Sequence, residues 1–144
     1  MDKAFSKSVS SLNETLQESE LCNIVNNAAE ILIDSVIDDG LLKKIPIVKT
    51  LVGLIKTTTN ISSILLLKKI IIFLDGIKNI PQNKRYKMIA EINNSPKYRI
   101  KVGEKLLYII NHCDDHDKAS LISELFKAFL SEEIEYDDFL QGSS

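Results

Sequence analysis

Residues 61–77 read ISSILLLKKIIIFLDGI, the most apolar stretch of the 144-residue chain, and their spacing decides the fold. At about 100° per residue, Ile64, Leu66, Leu67, Ile70, Ile71, Phe73, Leu74 and Ile77 occupy roughly half of a helical circumference. Ser62, Lys68, Lys69 and Asp75 lie on the other half, and Ile61, Leu65 and Ile72 fall among them. No period-2 alternation runs through the stretch, so a strand is excluded. It is also shorter than the ~20 apolar residues of a membrane span. So wide an apolar arc has to be covered by other elements, which predicts a helix at the centre of a core. Ile61, Leu65 and Ile72 then have two readings. They are covered by another part of the same domain, or they form an apolar strip on a basic face, open to a partner or a membrane surface.

Working outward, helical spacing continues on both sides. Upstream, Pro46 suits a first helical turn, and Ile47, Val48, Leu51, Val52, Leu54 and Ile55 leave one face to Lys49, Gly53, Lys56 and Asn60. Thr57, Thr58 and Thr59 are poor helix formers and mark the break. Farther upstream, Leu12, Leu16, Leu21, Ile24, Val25, Ala28, Leu32 and Val36 predict helix over about 10–38, closed by Asp38, Asp39 and Gly40.

Downstream, Pro81 and Gln82 open a helix to about Asn93, with Tyr86, Ile89 and Ile92 inward and Lys84, Arg85 and Lys87 outward. Ser95 and Pro96 predict a start for a helix over 97–112, with Ile100, Gly103, Leu106, Leu107 and Ile110 as its inner set. Asp114 suits the cap of the next helix, whose stripe is Leu121, Ile122, Leu125, Phe126, Phe129 and Leu130. A last turn, Tyr136 to Leu140, is held by Phe139. The expectation is an all-α fold: a single domain of six or seven helices over 10–140, in orthogonal or bundle-like packing. Residues 1–9 read as a flexible lead-in and 141–144 as a disordered tail.

The formal net charge of −2 conceals a segregated chain. Residues 1–40 carry −6, residues 41–105 carry +11 and residues 106–144 carry −7. Either the three segments neutralise one another on folding, or the middle keeps a basic surface for phosphates, nucleic acid or anionic lipid. Only Arg85 and Arg99 among the 18 basic residues are arginine, which argues against specific nucleic-acid recognition. The 44% hydrophobic content excludes a disordered chain, and two cysteines exclude a disulfide scaffold. No signal peptide is expected at the start, and Cys22 and Cys113 belong to no motif, so a cytoplasmic location is expected.

No G-x-S-x-G, Walker loop or G-x-G-x-x-G occurs, and the expectation is a protein without enzymatic activity or cofactor. The weak candidates for a metal are His112, His116, Asp114 and Asp117. Two imidazoles four apart share a face on a continuous helix, as a metal-dependent hydrolase would need. The helical pattern breaks between them, so a polar connector explains the same residues. The acidic tail from Glu132 to Phe139 has the rhythm of the exit half of an EF-hand. The earlier ligand positions would be Lys127, Phe129 and Ser131, which cannot cage calcium.

The run KVGEKLL (Lys101 to Leu107), followed by Asp117-Lys-Ala, by LFKAF from Leu125 and by IEYDDF ending at Phe139, resembles small uncharacterised all-helical bacterial proteins. Ile45-Pro-Ile-Val and the stretch from Lys68 to Leu74 are similar to the same group, so the likeness covers roughly residues 41–140. It implies a bacterial helical domain, cytoplasmic or membrane-peripheral, and transfers no functional residue. The function expected is a protein-binding or self-assembling module. Its interaction residues are Ile61, Leu65 and Ile72 with Lys49, Lys56, Lys68 and Lys69, and its partner is a protein or a second copy. The alternative is a peripheral protein resting on an anionic membrane through residues 41–78.

Overall fold

The computed structural model describes residues 3–19, 21, 44–58, 61–113 and 116–143, and side chains within 5–142 of these apart from Thr58, His116 and Asp117. Seven helices occur among them: α1 (Lys3–Leu16), α2 (Pro46–Thr58), α3 (Ile61–Ile77), α4 (Gln82–Asn93), α5 (Val102–His112), α6 (His116–Leu130) and α7 (Tyr136–Ser143). No strand occurs among the described residues. The fold is all-α. The predicted stripe from Ile24 to Val36, its stop at Gly40, Cys22, Thr59, Asn60 and the Asp114 cap lie outside the described residues.

One core joins the helices. Leu67, Ile70, Ile71, Phe73, Leu74 and Ile77 of α3 are buried in it, as the apolar arc of 61–77 requires. The helix packs most extensively on α6, and the two backbones approach closely at one point. There, a Cβ on Gly76 would stand 2.5 Å from Ser123 Cβ and 2.1 Å from its Oγ. From Phe73 an aromatic chain runs outward, through Phe126 (5.7 Å) and Phe129 to Phe139 and Tyr136 of α7.

Helix ends in this fold are satisfied by other helices. The first N–H groups of a helix and its last carbonyls have no partner inside it. Thr15 Oγ1 of α1 accepts the Ile47 N–H at the start of α2 (3.0 Å). At the start of α5, Asn93 Oδ1 accepts the Val102 N–H (2.9 Å) and Asn13 Oδ1 accepts the Gly103 N–H (3.1 Å). Asn13 lies over Gly103 so closely that an added Cβ would meet its Oδ1 at 2.4 Å. At the other end of α5, Lys69 Nζ donates to Cys113 O (2.7 Å) and Asn111 O (3.4 Å). Beyond the end of α1, the Arg85 guanidinium donates to Leu16 O (2.5 Å) and Glu18 O (2.8 Å), and its Nε to Ile80 O (3.1 Å).

Several boundaries and faces differ from those read in the sequence, each for a physical reason. Helix α1 begins at Lys3 rather than near residue 10, because Phe5 and Val9 continue the stripe of Leu12 and Leu16 among intervening serines. Arg85 faces inward, only 2% exposed, because the carbonyls it serves lie inside, and Tyr86 turns out, 56% exposed. Ser95–Pro96 makes a turn instead of opening a helix: Ser95 O accepts the Tyr98 N–H and Ser95 Oγ the Lys97 N–H. Helix α5 therefore starts at Val102, and Ile100 is left exposed before it. Leu121 also faces solvent. Helix α7 continues to Ser143, past the expected turn.

Candidate functional site

The surface of α2 and the start of α3 carries most of the residues expected to interact. Lys49, Gly53 and Lys56 lie on the exposed face of α2. Lys49 and Gly53, with Lys7, Ser11 and Thr50, line an open groove of about 620 Å³ between α1 and α2. On α3, Ile61 is 73% and Leu65 45% exposed, four residues apart on one face. Ile72 is half-buried against the core, so the strip is reduced to its first two members. Lys68 is half-buried, and Lys69 spends its ammonium on the carbonyls that end α5, where a cation also complements the helix dipole. Lys49, Lys56 and Lys68 make no ion pair among the described residues. Two pairs do join the basic middle to the acidic end, Lys97–Asp137 (2.8 Å) and Lys87–Glu132 (3.5 Å), all four side chains being half-exposed or more. No described helix is long and apolar enough to cross a membrane.

The histidine cluster is only partly within the described residues. His112 is exposed at the end of α5, its Nδ1 2.8 Å from Tyr108 O and its ring stacked on Tyr108 at 4.1 Å. Cys113 is buried, with Sγ donating to Ile110 O (3.0 Å). Asp114 and the side chains of His116 and Asp117 lie outside the description. Among the described residues no three His, Cys, Asp or Glu side chains are grouped to hold a metal ion.

A third place lies where the chain turns from α6 into α7. Helix α6 ends in a Schellman turn: Glu133 N–H donates to Ala128 O (2.9 Å) and Glu132 N–H to Phe129 O (3.0 Å). The left-handed residue this turn requires is Glu132, with φ 63°, where glycine is the usual occupant. Beside the turn is a cleft of about 410 Å³, with Met88, Ile92, Phe129 and Ile134 as apolar wall and Glu91, Glu132 and Glu135 as carboxylates. Tyr136 also lines it and is 3% exposed, yet its hydroxyl has no hydrogen-bond partner among the described residues. Burial first, then Tyr98 and Asp137 nearby, push the phenol up to about 12, so it stays neutral at physiological pH. Next to it, Asp137 accepts from Lys97 Nζ and from Tyr98 Oη (3.2 Å), and these bonds hold its carboxyl below the usual range.

The sequence pattern located the acidic rim but not this cleft. Tyr136 reads as one more apolar residue of a closing turn. The available signal was Glu132 itself, because no glycine follows the strong stripe of α6 where a helix of that kind usually stops. Comparison of the chain with family models, with curated proteins and with solved structures finds no match.

Proposed function

We propose that this chain is a non-enzymatic helical interaction module that self-assembles through the first turns of α3. The observation that carries the reading is the exposure of Ile61 and Leu65 on one face. Full burial of an exposed side chain of this kind contributes about 1.5–3 kcal/mol, and Ile61 has most of that gain still to make. A second copy supplies a complement to the lysines flanking the strip, since Glu133 and Asp138 are exposed at the far end of the sequence. The resemblance to bacterial helical proteins and two cysteines that belong to no sequence motif support a bacterial, cytoplasmic setting for such a module.

The test is the solution mass across a concentration series, by light scattering after gel filtration. The wild type should exceed its monomer mass of 16.2 kDa as concentration rises, and Ile61→Ser with Leu65→Ser should return it to monomer. A wild type that stays monomeric throughout would sink the reading. The exposed lysines Lys49 and Lys56, close in sequence to Ile61, favour a second reading, attachment to an anionic membrane surface. Flotation with liposomes that contain or lack anionic lipid decides it, since that reading requires binding to the anionic vesicles alone.

A further inference from the structure

We propose that the cleft between α4 and the α6–α7 turn binds a linear polyamine, its ammonium groups on the glutamates and its alkyl chain along the apolar wall. Four observations converge on this chemistry. Glu91, Glu132 and Glu135 are exposed around one cleft, and Glu91 and Glu135 make no ion pair among the described residues. The carboxylates are not gathered closely enough to share a metal ion, which suits charges spaced along a chain better than a single divalent cation. Between them the wall of Met88, Ile92, Phe129 and Ile134 is aliphatic and aromatic, a surface for methylene groups.

The second observation is the Tyr136 hydroxyl of the same lining, buried with no partner among the described residues. A buried polar group without a partner is costly, and an ammonium in the cleft would have to part the packing over this hydroxyl before donating an N–H to its oxygen. The third is that this region already takes ammonium groups from the chain itself. Lys87 Nζ reaches Glu132 Oε1 at 3.5 Å, and Lys97 Nζ stands 5.1 Å over the Tyr98 ring, which also lines the cleft. The fourth is Glu132 in the left-handed region: glycine there would be less strained but would remove one of the three carboxylates. An anion is the competing ligand, because Tyr136 also borders a smaller cleft with Arg99 and Lys105.

Calorimetric titration of the full chain with spermidine, combined with amide shift mapping, tests the proposal. Saturable one-to-one binding is expected, with shifts centred on residues 88–98 and 129–136. Glu91→Gln with Glu135→Gln, both exposed, should weaken binding about ten-fold or more, as expected for loss of charge-assisted contacts. Tyr136→Phe, which keeps the ring packing, should weaken it several-fold. N-acetyl-lysinamide, with one ammonium, should bind far more weakly than spermidine. The proposal fails if spermidine does not saturate, if the glutamine variant binds like wild type, or if the lysine derivative binds as tightly. It fails equally if magnesium at matched ionic strength displaces spermidine, or if inorganic phosphate rather than spermidine shifts Tyr136.

Discussion

Replacing Gly76 by alanine should destabilise the fold, although alanine is the better helix former. The helix-propensity gain is about 1 kcal/mol. Against it stands the crossing of α3 and α6, where the new Cβ would meet Ser123 Cβ at 2.5 Å. Ordinary carbon contacts lie about 3.5–4.0 Å apart, so the helices must separate by about 1 Å along their closest line. Rotation of the Ser123 hydroxyl relieves the 2.1 Å contact with Oγ but leaves the Cβ where it is. Overpacking of this kind costs about 1–3 kcal/mol, and the severity of the overlap points to the upper part of that range. The net loss should be about 1–2 kcal/mol, a fall of about 3–8 °C in Tm for a chain of this length. Ser123→Gly in the Gly76→Ala background moves the small residue to the other helix and should restore most of the loss. Ser123→Ala keeps the offending Cβ and should restore little. Urea unfolding followed by circular dichroism on the four proteins of the Gly76/Ser123 cycle gives the coupling, expected at about 2 kcal/mol. Gly76→Ala with wild-type stability, or a coupling near zero, would refute the crossing geometry.

Arg85→Met should cost about 3 kcal/mol or more, because it strands buried carbonyls that accept charged hydrogen bonds, and urea midpoints measure it. Arg85→Lys should recover less than half of that, since an ammonium cannot fork to three carbonyls. Tyr136 has a folded pKa of about 12 against an unfolded value near 10, so its contribution to stability is intact below pH 10 and lost as pH rises toward 12. The slope should reach about 1.1 kcal/mol per pH unit at about pH 11, and Tyr136→Phe should abolish it while adding about 1 kcal/mol at neutral pH. Glu132→Gly should raise stability by about 1 kcal/mol by relieving the left-handed strain, a change visible as a higher Tm.

How legible these features are in the sequence depends on whether their cause is local. The arc of 61–77 marks α3 to the residue, and Gln82 to Asn93 marks α4, because periodicity is written in neighbouring positions. Serines at 6, 8, 10 and 11 obscure the start of α1, where only Phe5 and Val9 betray the buried face. Arg85 and Lys69 read as surface charges, since nothing near them in the sequence names the carbonyls of Leu16 or Cys113 that they serve. The same holds for the cleft: Glu91 and Glu135 are brought to one lining only by the packing of α4 against the end of α6. Ile61, Leu65 and Ile72 share the polar half of α3, yet Ile72 is half-buried while Ile61 and Leu65 are exposed, a difference set by packing and not by periodicity.

Because α1 supplies Thr15 to the start of α2 and Asn13 to the start of α5, and receives Arg85 at its own end, it acts as a keystone. Deleting it would do more than bare one apolar face; it would leave orphaned amides on two helices and a buried guanidinium without its Leu16 acceptor. The chain is thus poorly divisible. The bonds that finish its helices span as many as 90 positions, so late-made segments complete early-made ones, and no half of the sequence holds a full set of closed ends.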